Sequence, residues 1–525
     1  MDTRLRVLKK ALEFMRSNDE VGRLFFRMCS PELPDTIALN IAAQLLRDPD
    51  GMEAILARMC SPTQYTMPNP PASADARLFA LLPHDAVDRL SRLPDALLGD
   101  IVSRLPAKDA ARTAALSRRW RPVWRSTPLI LADAHLCPAT SAVSRVLADH
   151  PGPFRCVHIT SCEMDDFHGA LLAGWLQILA VKAIQELVLF NRRWPLDLLL
   201  PSTVLRMATL TRLHLGLWKF PDTAAVPRAA CFPNLRELGL CNVLMENRDL
   251  DFVLDRSPVL ETLCLEGNLF QLRLRLVSQS LRCVQIIGSF EEIFVVNAPR
   301  LERLIHSEGN QGCTPDGSRS KVKIGHSPKL ELLGYLELDP GNHVLMVGST
   351  IIKAATKVSP GTMIPSVRIL AMEVRFDVRN DAKMIPSVLR CFPNVETLHI
   401  KSGKTHQSTG KLNLKVWHES GTIECIRSSI KRLVFHDFRG GRSENAFLKF
   451  FFESALVLEE VVIHLDAGFT SMEEVQSKVE SLGSVKRASE AVSVLVTDCS
   501  DPQGDYIRSL KRGSDFSIRD PFVSY

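Results

Sequence analysis

The chain has 525 residues, too many for one ordinary core, and 46% of them are hydrophobic, which excludes global disorder. A formal net charge of +5 over that length is close to balance and gives no case for nucleic-acid or membrane binding. Thirteen cysteines are scattered without a framework and no Asn-x-Ser/Thr sequon occurs. With no apolar run of signal length near Met1, the expectation is a reducing compartment, nucleus and/or cytoplasm.

Residues 1–80 read as a helical extension with a linker. Leu5, Leu8, Leu12 and Met15 fall near one face of a first helix, and Ile37, Ile41 and Leu45 repeat the effect beyond Pro31 and Pro34. Met67–Ser73 (MPNPPAS) is turn-rich. A local helical extension is the bland reading of this region; a partner-binding arm is the other.

A compact module over residues 88–130 follows. Leu93-Pro94 opens a helix, with Asp95 placed where exposed amide dipoles favour an anion. Leu97, Leu98, Ile101, Val102 and Leu105 then form one broad apolar stripe, Asp100 and Arg104 stand four apart on the other side, and Pro106 stops the helix. Lys108-Asp109 begin a second helix rich in alanine (Ala110, Ala111, Ala114 and Ala115), and Ser117 is placed to cap a third containing Trp120, Val123 and Trp124. Pro122 requires the third helix to start nearby or to bend. A self-contained three-helix core is the competing reading. So short a segment does not hide all its large apolar groups, so part of the Leu/Ile stripe is expected to stay available to a second protein.

Residues 150–410 repeat a phrase of turn, apolar residue and spaced leucines, as in ATLTRLHLGLWKF from Ala208, CFPNLRELGLCNV from Cys231 and SPVLETLCLEGNL from Ser257. Leu210, Leu235 and Leu260 stand 25 residues apart, then Leu281 follows after 21 and Leu301 after 20. That period belongs to leucine-rich repeats, in which one unit cannot bury its apolar strand face alone but a stack can. Short return helices are expected, for example around Asp251–Leu254; a non-repeat β-sheet domain is the structural competitor. Leu171–Phe190 reads as a buried helix running into a strand. Gly309–Ser320 and Lys401–Lys411 read as surface loops, and the first lacks the Gly-Lys-Ser/Thr ending of a phosphate-cradling loop.

Residues 411–500 read as a small α/β unit: a strand over Ser429–Phe438, a helix over Glu444–Ser454, a strand over Leu458–Leu465, a helix over Val475–Ala488 and a strand over Val492–Thr497. Residues 501–525 are a C-terminal tail. No Gly-x-Ser-x-Gly elbow and no His-Glu-x-x-His helix occurs, so no catalytic residue, cofactor or metal is expected. Cys156, His158 and Cys162 come nearest to a metal cluster but lack a second pair with finger spacing, and packing within a strand is the favoured reading. Trp175, Trp194, Trp218 and Trp417 are read as packing residues in preference to a ligand pocket.

Leu93-Pro94, Leu97-Leu98, Ile101, Leu105-Pro106, Ser117, Arg119-Trp120 and Trp124 together resemble an F-box, the helical motif by which substrate receptors dock on Skp1 in cullin-RING ubiquitin ligases. The resemblance implies that Leu93, Pro94, Leu97, Leu98, Ile101, Leu105, Pro106, Trp120 and Trp124 form the Skp1 contact or support it. The family usually carries bulkier aliphatics where this chain has Ala110, Ala111 and Ala115, which predicts weaker docking or thinner packing. Trp417, Cys425, Ile430-Lys431, Val434, Phe438, Gly440, Glu444, Phe451-Phe452, Ala455, Leu458 and Val461 resemble the FBD found after the repeats of many plant F-box proteins. The order of parts implies a multidomain chain: a small all-helical F-box, an irregular α/β leucine-rich-repeat solenoid and a C-terminal α/β FBD-like domain. The function so implied is substrate recognition in an SCF (Skp1-cullin-F-box) ligase. The partners are a Skp1-like adaptor, through it cullin and a RING protein, and an unknown protein substrate on the repeats. The alternative is a non-degradative interaction scaffold with weak or no cullin assembly.

Overall fold

The computed structural model describes residues 92–523, apart from 106, 137–139, 163, 192–197, 226–230, 268–271, 289, 308–319, 342, 406–409, 411–412, 467–486, 490–491 and 498–509. The helical extension expected over 1–80, Pro106, Trp194 and most of the helix expected at Val475–Ala488 lie outside the described residues. The chain divides into two compact units, with the boundary falling inside the strand β6 (Thr262–Glu266).

The first unit opens with three short helices: α1 (Asp95–Val102), α2 (Ala107–Thr113) and α3 (Trp120–Ser126). Strands β1 (Leu129–Ala132), β2 (Phe154–Ile159), β3 (Glu186–Phe190), β4 (Arg212–Gly216) and β5 (Glu237–Cys241) then pair in parallel, in sequence order. The repeat leucines explain the register. Leu187, Leu213 and Leu238 sit opposite one another across β3, β4 and β5, all buried. Helices α4 (Thr140–Asp149), α5 (Gly169–Val181) and α6 (Asn247–Asp255) cross between strands. As expected, α5 runs into β3, burying Leu172, Trp175, Leu176 and Leu179, and α6 is the return helix around Asp251–Leu254.

Polar side chains at strand ends close the turns. Asp133, just past β1, accepts from the amides of Thr160, Ser161 and Cys162 after β2. Asn191, just past β3, both accepts from and donates to the Met164 backbone. Trp218 is fully buried and donates from its indole nitrogen to the Leu189 carbonyl at 3.0 Å.

The second unit holds two sheets. The larger runs β8 (Cys283–Ile287), β10 (Arg303–Ser307), β12 (Leu332–Glu337), β15 (Ile369–Val374), β16 (Thr397–Ser402), β17 (Arg432–Phe438), β18 (Glu460–Leu465) and β19 (Ser493–Thr497). All its pairs are parallel, and one continuous row aligns Val284, Leu304, Leu333, Leu370, Leu398, Leu433, Val461 and Val494. The region resembling an FBD is α/β, as expected. Its strands extend the repeat sheet across the open edge of β16, where unpaired backbone groups accept another parallel strand.

The smaller sheet corrects the expectation of return helices in the middle repeats. Strands β7 (Arg273–Val277), β9 (Glu292–Asn297), β11 (Ser320–His326) and β13 (His343–Val347) pair in parallel, with β14 (Thr350–Ile351) antiparallel at the edge. These returns carry alternation of period two. In β7, Leu274 and Leu276 are buried while Arg273, Arg275 and Val277 are exposed. Alternation with β-branched residues such as Ile293 and Val295 favours strand over helix. Helical returns resume with α7 (Arg379–Ala382), α8 (Ile385–Arg390), α9 (Leu414–Glu419), α10 (Glu424–Ser428) and α11 (Arg442–Ser454). Glu444 is buried in the first turn of α11 and accepts from the Gly441 amide at 2.7 Å and the Ser402 hydroxyl at 2.6 Å. Trp417 on α9 packs against Phe447 and Phe450 of α11.

One buried histidine ties the second unit to pH. Burial, opposed by the weaker pull of Glu337, lowers the His306 imidazole to about 4 from the usual 6.5. The ring is neutral when folded, and the unfolded chain takes up the proton first as pH falls. The stability this neutrality supplies is complete above pH 6.5 and is lost between 6.5 and 4, by about 3 kcal/mol. His436 and His464 are lowered in the same direction, first by burial and then by neighbouring charges. Denaturant melts of the second unit at stepped pH should show this acid loss, and His306→Leu should flatten its share of it. An unchanged pH slope in that variant would remove His306 from the account. Among the described residues, no helix is long and apolar enough to cross a membrane.

Candidate docking face and recognition surface

Helix α1 starts at Pro94, whose carbonyl accepts from the amides of Leu97 and Leu98. The helix splits the apolar stripe between two directions. Leu98 and Val102 are wholly buried, whereas Leu97 is 52% and Ile101 38% exposed, one turn apart on the other face. The competing reading, in which the stripe is sealed inside the module, does not hold for these two residues. Leu93 and Leu105 are half-buried and Pro94 is exposed. Leu116, past the end of α2, adds a third exposed aliphatic.

The exposed face is rigidly mounted. Arg119, just before α3, reaches back to α1, with its Nε 2.8 Å from Asp95 Oδ1 and its Nη2 donating to the Leu93 carbonyl. Trp120 and Val123 are buried between the helices. Trp120 is therefore not part of the exposed face. Trp124 packs on His150 at 4.8 Å between ring centroids, and His150 in turn lies against Phe154 of β2. That stack fastens the helical module to the first strands of the same unit. Asp100 and Arg104 pair at the surface, 3.0 Å apart.

Two sequence expectations change here, those for the alanines and for Ser117, while Pro122 falls near a helix start as expected. Ala111 and Ala115 are exposed, so of the three alanines only Ala110 faces the core and the packing is not thinned at the other two. Pro122 is the third residue of α3, in the first turn, where its missing amide has no intrahelical partner to lose. Ser117 is not the cap residue: α3 starts after Arg119, and the Ser117 carbonyl accepts from Trp120.

The repeats of the first unit present the residues that alternate with the core leucines. Along β3–β5 these include Glu186, Arg212, His214 and Glu237. Arg212 bridges Glu186 at 3.1 Å and Glu237 at 2.9 Å, and His214 meets Glu237 at 2.7 Å. Burial alone would raise the Glu237 carboxyl, but His214 and Arg212 overcome that and hold it below its usual range. Beside them, Val188, Phe190 and Cys241 form an apolar cluster. All three are buried, so the cluster is packing beneath the charged row and not an open surface.

Among the described cysteines, Cys156 and Cys162 are held far from reactive form. Burial drives the Cys156 thiol well above its usual range, and burial with the charge of Asp133 pushes Cys162 up to about 12. A thiol held in that form is a poor nucleophile and a poor metal ligand. Cys156 and His158 do lie on one strand, and both are buried. Among the described residues, no group of three or more histidines, cysteines and carboxylates is arranged to hold a metal. Trp175, Trp218 and Trp417 are all buried in packing. The sequence reading missed Arg303, His399 and the C-terminal residues lying against them; the signal was a tail with Phe516, Ile518, Phe522 and Val523.

Comparison with known proteins places these parts in families. The F-box domain model matches residues 90–131, the model described as "FBD-associated F-box protein At5g56370, LRR repeats" matches 172–400, and the FBD model matches 418–463. F-box/LRR-repeat protein At3g26922 of Arabidopsis thaliana is 30% identical over 260 residues, covering 48% of this chain and 75% of its own length. F-box/FBD/LRR-repeat protein At5g22660 of the same plant is 25% identical over 445 residues, covering 78% of this chain and 96% of its own. FBD-associated F-box protein At5g60610, also from Arabidopsis thaliana, is 24% identical over 400 residues, with 71% and 98% covered.

Proposed function

Since the chain belongs to the plant F-box/FBD/LRR-repeat family, we propose that it is the substrate-recognition subunit of an SCF-type ubiquitin ligase. The F-box docks a Skp1-like adaptor, which brings cullin and a RING protein, and the repeats hold a protein substrate. The observation that carries this reading is the exposure of Leu97 and Ile101 on a helix whose other face is locked into the fold. On this reading the chain catalyses nothing itself. It raises the effective concentration of substrate beside a charged conjugating enzyme, and bond chemistry stays with the partners. Leu93, Pro94, Leu97 and Ile101 shape the adaptor contact; Leu98, Leu105, Trp120 and Trp124 support it. The compartment consistent with this role is the nucleus and/or cytoplasm.

The test is co-purification of the tagged chain with a Skp1-like protein and with cullin. Capture of both supports a ligase subunit. Capture of the adaptor without cullin supports a non-degradative scaffold, and capture of neither removes the reading. Proximity labelling with intact and docking-defective chains then finds the substrate, as a protein that accumulates only with the defective chain.

A further inference from the structure

The C-terminal residues Arg512–Val523 lie against the second unit's larger sheet, over β8, β10, β12, β15 and β16. They follow the sheet's outward positions, which alternate with the core row from Val284 to Val494. The segment is closed on itself: Arg512 donates to the Val523 carbonyl, and the amides of Asp515 and Ile518 bond to the carbonyls of Arg512 and Asp515.

Its attachment has the chemistry of peptide capture. Arg303, buried on β10, donates to three backbone carbonyls, those of Gly513 (2.8 Å), Asp515 (3.0 Å) and Ile518 (2.7 Å). Charged donors to carbonyls hold a chain without reading its sequence. Side chains supply the selectivity. The Phe516 ring lies under two guanidinium groups, 4.0 Å from Arg282 and 4.7 Å from Arg303. Asp520 Oδ2 is 2.9 Å from Nε2 of the fully buried His399. Phe522 enters a pocket formed by Ile305, Leu332, Tyr335, Ile369 and Ala371, edge-on to Tyr335 at 5.0 Å. At Gly513 the chain comes so close to the sheet that an added Cβ would displace the Gln285 carboxamide.

Two further observations separate this face from ordinary core. Without the segment it would expose a run of apolar side chains flanked by Arg303 at one end and His399 at the other, the kind of patch that marks an interaction site. The Tyr335 hydroxyl is buried there with no hydrogen-bond partner among the described residues. A ligand bringing an acceptor to that hydroxyl would gain a bond that the resident segment does not make.

We infer that this face is a groove for a protein segment carrying a carboxylate two residues before an aromatic side chain, and that Arg512–Val523 occupies it as an internal ligand which such a partner displaces. Tethering gives the resident segment a high effective concentration, so only a partner with better contacts displaces it. The groove thus stays covered until its ligand arrives.

The probe is a fluorescent peptide of residues 510–523 added to the full chain, with no adaptor present, so the result is independent of F-box docking. The full chain carrying Phe516→Ala, Asp520→Ala and Phe522→Ala should bind the peptide at least tenfold more tightly than the unaltered chain. A peptide carrying Asp520→Ala and Phe522→Ala should lose that binding. Hydrogen exchange on the unaltered chain gives a second reading: amides of 515–522 should exchange at least tenfold faster than those of β16, through local opening. Equal peptide binding by both chains overturns the inference. So does exchange over 515–522 as slow as in β16, or global unfolding of the altered chain, since either makes the segment part of the core.

Discussion

Replacing Leu97 and Ile101 together with lysine should lower capture of a Skp1-like adaptor by about 100-fold or more while leaving the fold intact. Both side chains are exposed on α1, so their removal opens no cavity in the free chain. In a complex each would bury apolar area worth about 1.5–3 kcal/mol, and a lysine put in its place would have to be desolvated. Two such losses convert to at least two orders of magnitude in affinity. The informative control is Trp120→Ala. That ring is 5% exposed, so truncation costs about 3–5 kcal/mol through a cavity, and any loss of capture comes with a lowered melting temperature. Titration of the adaptor against each variant, paired with thermal melts, separates docking from support. Unchanged capture by the lysine variant removes α1 as the docking face.

The second large effect belongs to Asp133. Its carboxylate receives the Thr160 amide at 2.9 Å on both oxygens, the Ser161 amide at 2.7 Å and the Cys162 amide at 3.0 Å, and it is buried. Asp133→Ala leaves those three amides without their acceptor, at about 1–3 kcal/mol each, for a total on the order of 3–9 kcal/mol. Melting of the first unit should fall by about 10–20 °C. Asp133→Asn keeps one acceptor oxygen and should recover about half of that loss. The charge also helps hold the Cys162 thiol up at about 12, so the Asn variant should make Cys162 easier to ionise. A melting shift under about 2 °C for the Ala variant would contradict this account of the turn.

Much of the architecture was legible in the chain because it rests on local patterning. The spacing of Leu210, Leu235 and Leu260 announces stacked strands, and β4 and β5 follow directly from it. The run Leu171–Phe190 gave α5 and β3 because its first part has the length of a helix and Glu186–Phe190 only that of a strand. The strands expected at Ser429–Phe438, Leu458–Leu465 and Val492–Thr497 are β17, β18 and β19 within one or two residues at most ends. The middle returns were missed because five-residue runs such as Arg273–Val277 are too short to outweigh the prior for helices in this repeat. Among the candidate site residues, the periodicity that groups Leu97, Leu98, Ile101, Val102 and Leu105 into one stripe carries no information on which part of it faces the core.

By itself the sequence determined the composition class, the repeat period, the helix starts at Pro94 and near Trp120, and the apolar stripe on α1. Those features depend on residues within a few turns of one another. Only the tertiary structure decided that Leu98 points inward and Leu97 outward, since α3, held by Arg119, covers one side of that stripe. It also decided that Arg303 and His399 receive residues more than a hundred positions away, Asp515 and Asp520 among them. Such pairings are fixed by the stacking of strands, which brings together side chains that no local pattern relates.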